Sequence, residues 1–408
     1  MADEVAMKDE TIRTMLALSF LFMGPPAFAQ SNERPVNWKD LPEPFHTDSA
    51  RNRPEVVVRP DGATLQLPEG FTIEEYMNEF VRPRFMMLGP SNEIILSDSG
   101  SRESRDGIVY VLKGGSKTKI IEGLDRPYGL ELHDGWLYVA ETTSVKRYRY
   151  DPDSMKVTGV GEEVIPLEKF DEGHWTRTLL FDRSHEKLYL TVGSRSNIDL
   201  DEDPMRAALH RYNPDGGGHE TVATGLRNII GLRWYPGTDD LWAAVQERDG
   251  LGDDLVPDYV VTIEDGGFYG WPISYIGPHR EPRHENVDEA KVKSTLYPDV
   301  LLGAHVAVLD ILFYTGEQFP AQYRGGMFLA FHGSWNRAER IGYEVAFIPF
   351  ENGEPTAGPE SFLTGWMLDP KKREVWGRPV GLLQSPDGSL IVSDDGGGKL
   401  WKISFSLR

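Results

Sequence analysis

Four arginines recur at one kind of position in this sequence. Arg126, Arg177, Arg227 and Arg378 each stand immediately before an apolar run, in RPYGLELHDGWLYVAE, RTLLFDRSHEKLYLTVG, RNIIGLRWYPGTDDLWAAVQE and RPVGLLQSPDGSLIVSDD. A guanidinium at the entrance to a core needs an anionic partner. Such a set can hold a carboxylate-bearing ligand. Ion pairing to carboxylates of a neighbouring repeat serves equally well for Arg126 and Arg177. Three histidines, His174, His305 and His332, precede or adjoin similar runs. An imidazole there can move a proton near neutral pH. The acidic loop ERDGLGDDL, residues 247–255, offers oxygen ligands of the type a hard cation takes. Its spacing is not that of an EF-hand, and a solvated acidic loop accounts for the same residues. The chain has no cysteine, so thiolate ligands, disulfides and a cysteine nucleophile are excluded.

The elements that must position these residues form a repeat. Two further runs, RFMMLGPSNEIILSDSG (residues 84–100) and LDILFYTGEQFPAQYRGGMFLAFHG (residues 309–333), share the pattern of strand, polar turn and second strand. A third strand follows in several cases, as in GIVYVLK, VKRYRYDP and YEVAFIPF. Six repeats over residues 67–408 give about 57 residues each, the size of a four-stranded propeller blade with its loops. The sequence therefore predicts an all-β, six-bladed β-propeller, with a sandwich or a pair of barrels as the alternative. In a propeller the innermost strands converge on one channel, so residues that open the repeats can meet in one pocket. An insertion is expected between residues 267 and 309, where Tyr269, Trp271 and Tyr275 either stack on a sugar ring or seal the blade edge.

Several segments together resemble the sorbosone dehydrogenase branch of the soluble quinoprotein sugar dehydrogenases. They are GHWTRTLLFDRSHEKLYLTVGSRSN, GLRNIIGLRWYPGTDDLW, ERDGLGDDLVPDY, GGFYGWP, FHGSWNR and GRPVGLLQSPDGSLIVSDD, in that order. The resemblance implies a six-bladed propeller that binds pyrroloquinoline quinone (PQQ) and Ca²⁺. It implies oxidation of a sugar, polyol or sugar aldehyde, with electrons passing to an external acceptor. His174 matches the catalytic base of that family. Arg227 and Asn228 match a pair that contacts PQQ, with Arg227 polarising the quinone oxygen. Arg378 matches an arginine that binds a PQQ carboxylate. The resemblance gives calcium to backbone carbonyls of the loop after the fourth repeat, here Asp249 and Gly250. Two departures stand out. Ile230 replaces a glutamine, and Trp376 replaces an arginine, a missing cation that Arg337 is expected to supply.

The chain has 408 residues and a formal charge of -21, with 64 acidic residues against 43 basic. That excess disfavours nucleic acid and anionic membranes as partners. It also requires cations to be gathered locally around a trianionic cofactor. Residues 15–23 form an apolar run too short to span a bilayer, followed by Ala27-Phe28-Ala29, a small-x-small pattern. A signal peptide over residues 1–29 and a periplasmic or secreted location are expected, with an extended arm over residues 30–66 and the propeller over residues 67–408. Two other readings remain open. One is a propeller that binds sugar or protein without a cofactor. The other is a metal-dependent lactonase using Glu141, Asn228 and Asp394.

Overall fold

The computed structural model describes residues 40–101 and 105–406, and the leader expected over residues 1–29 lies outside them. Among the described residues, six four-stranded antiparallel sheets form a six-bladed β-propeller. The inner strands are Pro83–Leu88 in blade 1, Leu130–His133 in blade 2 and Leu179–Phe181 in blade 3. Ile229–Trp234, Val308–Phe313 and Pro379–Gln384 serve blades 4, 5 and 6. Each inner strand packs beside the next, and blade 6 returns to blade 1. The ring is closed by Phe71–Met77, which pairs antiparallel with Lys399–Phe405 and completes blade 6 from the other end of the chain. This tie leaves the ring of blades without an open gap.

The second strands explain why the sequence shows apolar runs and not alternation. Ile94–Asp98, Trp136–Ala140, Leu188–Val192, Leu241–Val245, Met327–Phe331 and Leu390–Asp394 are buried at every residue. Successive side chains of a strand point to opposite faces, and here both faces are covered by neighbouring blades. Ile95 packs with Leu130 and Leu137 of blade 2, whereas Ile94 and Leu96 pack with Leu383 and Ile391 of blade 6. Truncating such a side chain to alanine costs about 2–5 kcal/mol.

Glycine allows the inner strands to approach. A Cβ on Gly129 would lie 2.6 Å from the Leu179 nitrogen of blade 3, and one on Gly381 would lie 2.3 Å from the Arg84 carbonyl of blade 1. Polar side chains then stitch blade to blade. Ser97 Oγ donates to the Tyr128 carbonyl at 2.7 Å, Thr178 Oγ1 to that of Ile230 at 2.6 Å, and Ser393 Oγ to that of Arg84 at 2.7 Å. Asp310 accepts from the Leu382 nitrogen at 2.9 Å and pairs with Arg233 at 3.0 Å, linking blades 4, 5 and 6. Tyr128 Oη reaches the Leu309 carbonyl of the opposite blade at 3.0 Å. With Ile230, Leu309 and Val380 in one apolar cluster, the channel is packed below its mouth.

The insertion is shorter than the sequence suggests. Val300–Ala304 is the outer strand of blade 4, paired with Pro257–Thr262, so only residues 263–299 are added. The strand is short, and His305 and Ala307 follow it at positive φ. Tyr269, Trp271 and Tyr275 are 2%, 4% and 3% exposed, so they seal the blade edge and offer no sugar-stacking face. The arm before the propeller is pinned across the loops of blades 4 and 5. The Phe45 nitrogen donates to the Leu251 carbonyl and the Asn52 nitrogen to that of Trp335, both at 2.8 Å.

Candidate active site

Each inner strand runs antiparallel to its second strand. The first residues of the inner strands and the last residues of the second strands therefore share one end of the propeller. On the side of blades 3 to 5 this rim encloses a polar cavity of about 170 Å³, whose lining includes His174, Arg227, Gln246, Asp249, His305 and Trp335. A larger cavity of about 390 Å³ lies between the N-terminal arm and blade 6, around Val57, Arg59, Trp376 and Trp401. Among the described residues no histidine lines that second cavity.

His174 is held from one side. Its Nδ1 lies 2.8 Å from the Ser194 carbonyl, which can only accept, so Nδ1 carries the proton and Nε2 keeps its lone pair. Burial, and then the neighbouring Arg227 guanidinium, push this imidazole down to about 3. Gly193 makes the arrangement possible, because a Cβ there would lie 2.7 Å from His174 Cβ and 2.3 Å from Asn228 Oδ1. Arg227 Nη1 donates to the Glu247 carbonyl at 2.8 Å, and Nη2 donates to Asn197 Oδ1 at 3.1 Å. The same nitrogen faces Asp249 Oδ2 at 3.6 Å. Asn228 donates to Gln246 Oε1 at 3.2 Å, while its own Oδ1 is buried and accepts nothing. His305 has acceptors on both nitrogens, the Gly252 carbonyl at 3.0 Å and Asp249 Oδ1 at 3.5 Å. Burial opposes its charge, but Asp249 and Gly252 prevail and raise its pKa. Burial would raise Asp249, yet His305 and Arg227 hold it below the ordinary carboxylate value.

The other side of the rim is built differently. Arg84, at the start of blade 1, pairs with Asp395 at 2.9 Å. Asp395 also accepts from His332 Nε2 at 2.8 Å, and Arg378 Nε donates to the His332 carbonyl at 3.1 Å. Burial opposes the Asp395 charge, but Arg84 and His332 hold its carboxyl far below the usual range. Trp175 lies beside this group, with Arg84 at 5.1 Å and Arg126 at 5.6 Å from its ring centre.

Several expectations need correction. Arg177 does not face the pocket. It is fully buried and donates to the carbonyls of His174, Thr176 and Phe170, so it fastens the loop that carries the histidine. Arg337 does not supply the missing cation, because its guanidinium is bound to Asp254 at 2.7 Å and to the Asp253 carbonyl at 2.5 Å. The carbonyl of Asp249 does not fit calcium. It already accepts from Asn197 Nδ2 at 2.8 Å and from Arg283 Nη1 at 2.9 Å, and that guanidinium rests against Gly250. Among the described residues no group of three or more histidines and acids could hold a metal. The lactonase set is used up locally: Asp394 accepts from Arg378, Gly397, Trp366 and Trp401, and Glu141 from Asp125 and Lys146. Sequence reasoning missed Asn197 and Gln246, which organise Arg227 and Asn228. It also missed Arg84, although Arg84 opens the first repeat as its counterparts open theirs.

Fold and rim together define a six-bladed propeller with a half-buried neutral histidine beside a constrained arginine at one mouth. Residues 65–258 and 278–406 match the TrAA12-like family model, and the chain belongs to that family. It is 24% identical over 407 aligned residues to a pyrroloquinoline quinone-dependent pyranose dehydrogenase of Coprinopsis cinerea. That alignment covers 83% of this chain and 54% of the relative, so the chain spans about half the length of that protein. The holo PQQ domain of a Coprinopsis cinerea pyranose dehydrogenase superposes with a TM-score of 0.70 at 21% identity, covering 86% of this chain and 99% of that one. A calcium structure of Trichoderma reesei family AA12 gives 0.72 at 20%, covering 87% and 99%. At these identities the structural likeness is one of fold. The donor set suits a planar, carboxylate-rich quinone. Arginines stand on both sides of the mouth, and only a glycine fits at position 193, where a Cβ would lie 2.7 Å from His174 Cβ. Among the described residues no helix is long and apolar enough to cross a membrane.

Proposed function

We propose that this chain is a PQQ-dependent dehydrogenase that oxidises a sugar, a polyol or a sugar aldehyde of the sorbosone type. The observation that carries the reading is His174, whose Nδ1 is committed to the Ser194 carbonyl and whose neutral ring lines the cavity beside Arg227. Family membership and the pyranose dehydrogenase relative support it. PQQ, when bound, supplies an o-quinone that accepts two electrons together with hydrogen from the substrate carbon. His174 Nε2 receives the hydroxyl proton of the substrate, or of the aldehyde hydrate. Arg227, fixed by Glu247 and Asn197, presents positive charge to an oxygen that gains electron density, with no reorganisation at the moment of reaction. Asn228 and Arg378 orient carbonyl and carboxylate groups of the cofactor. Arg84 and Arg126 add to the cationic field on which a trianion depends in so acidic a chain. The reading includes export to the periplasm or medium, which N-terminal sequencing of the mature protein tests.

Reconstitution of the apo-protein tests the function. PQQ is added, its absorbance is followed on binding, and sugars, polyols and aldehydes are then screened for bleaching of the bound quinone. Saturable uptake and bleaching by at least one such substrate are expected. Absence of uptake would sink the reading and favour a propeller that binds its ligand without redox chemistry.

A further inference from the structure

The loop expected to cradle calcium is organised by side-chain cations. Calcium takes six to eight oxygen ligands at about 2.3–2.6 Å. A carbonyl oxygen has two lone pairs, and that of Asp249 already meets Asn197 Nδ2 and Arg283 Nη1. The Arg283 guanidinium also covers Gly250, where a Cβ would lie 2.8 Å from Nη1. One of the two carbonyls expected for the ion is therefore engaged by nitrogen on both lone pairs, and the same guanidinium rests against the other residue.

Arg283 is held in this position from behind. Its Nε and Nη2 clasp the two oxygens of Glu281 at 2.6 and 2.9 Å. Glu281 is fully buried and also meets Arg248 at 3.3 Å. Arg248, itself fully buried, pairs with Glu247 at 3.0 Å and donates to the carbonyls of Pro272 and Ser274 at 3.0 and 2.6 Å. The chain Glu247, Arg248, Glu281, Arg283 thus runs from under the cavity to the Asp249 carbonyl with charges alternating. On the cavity side, Arg227 and His305 flank the Asp249 carboxylate at 3.6 and 3.5 Å. A divalent ion at these carbonyls would lie within a few ångströms of a guanidinium that has no low-cost place to go, and the two would repel.

We propose that Arg283 takes the place of a divalent ion in this loop, so that the cofactor site is organised by a fixed guanidinium and works without calcium at Asp249 and Gly250. The proposal rests on the PQQ reading above for its consequence, but not for its geometry. A fixed guanidinium shapes the loop through hydrogen bonds and needs no dissolved metal. Removing it frees the Asp249 carbonyl and leaves a cation-sized gap beside it.

Two measurements on the full chain test this. PQQ uptake is read by absorbance in chelator and in calcium, and calcium alone is titrated calorimetrically into the apo-protein. Wild-type uptake is expected to agree within about twofold between the two conditions. Arg283→Ser is expected to lose uptake in chelator by tenfold or more, to regain it with calcium, and to bind calcium at least tenfold more tightly than wild type. Because that change leaves Glu281 less well paired, the double variant Glu281→Gln, Arg283→Ser is measured beside it, with thermal melts confirming the fold. Chelator-sensitive uptake by the wild type, or equal calcium affinity in wild type and both variants, would overturn the proposal. Absence of PQQ uptake in every condition would instead overturn the function proposed above, and the calcium titration would still decide the role of Arg283.

Discussion

Two histidines stand at the same rim in opposite settings. His174 gives its Nδ1 proton to a backbone carbonyl, and its ring lines the cavity. His332 gives its Nε2 proton to Asp395, which is itself gripped by Arg84. Both rings are kept neutral by burial and a nearby arginine, at about 3 for His174 and about 4 for His332. Protonation state therefore does not separate them; the partner does. A carbonyl fixes a tautomer and otherwise leaves the ring free to take up a proton. A carboxylate already paired with arginine turns the ring into one member of a buried ionic network. The first arrangement suits a base, and the second suits a strut that holds Arg84 and Arg378 in position.

The widest gap between the two halves is expected in turnover. His174→Gln should lower kcat by roughly 10²–10⁴ while leaving PQQ uptake intact, because the base is lost and the cations are not. Stopped-flow bleaching of the bound quinone measures this directly. Unchanged turnover would remove His174 from the mechanism.

The ionic half should respond in stability. Asp395→Asn leaves Arg84 buried without its carboxylate, and breaking such a pair costs about 3–5 kcal/mol. Asp395 has a depressed pKa, so its contribution is present above its unfolded value near 4 and is lost as pH falls further. Denaturant melts at neutral pH should therefore show the loss, and the gap between variant and wild type should close in acid. A variant as stable as wild type at neutral pH would show that the Arg84 pairing contributes little.

Much of this was legible in the sequence, and the reasons for what was not are local. The six apolar pairs of strands could be read because blades covered on both faces demand continuous apolar runs, as at Ile94–Asp98. His174 and Arg227 stand out because they precede such runs inside segments that resemble those of the quinoprotein sugar dehydrogenases, and both line one cavity. Asn197 could not, because it acts through a loop whose partners, Arg227 and Asp249, are thirty or more residues away in sequence. Arg283 lies in an insertion with no repeat to fix its register, so nothing in the sequence brings it to Asp249. Arg337 could not be placed because a loop guanidinium pairs with whatever carboxylate the fold brings beside it, here Asp254.

A smaller effect separates the two histidines by pH. Arg227 is the main charged neighbour that depresses His174, so Arg227→Gln should raise the His174 pKa from about 3 toward the ordinary imidazole value. An anionic ligand bound beside the ring should raise it too. Ring-proton NMR of the apo-protein measures both, and an unmoved titration would show that burial alone sets the value. Depressed histidines also cost stability in acid, since the unfolded chain takes the proton first. His174, His210 and His332 should together make Tm fall as pH drops below about 6.5.

The smallest expected change is the one that most sharply divides the halves. His332→Gln keeps an amide N–H that can donate to Asp395 Oδ1, so the network with Arg84 and Arg378 survives with one neutral donor exchanged for another. A single hydrogen bond contributes about 0.5–1.5 kcal/mol, and the exchange should shift stability by no more than that. Turnover should stay within about threefold of wild type, because the ring has no part in proton transfer. A loss comparable to that of His174→Gln would reverse the assignment. It would make the carboxylate-held imidazole the base, acting through Nδ1 with Asp395 stabilising the proton it receives, and would leave His174 as the strut.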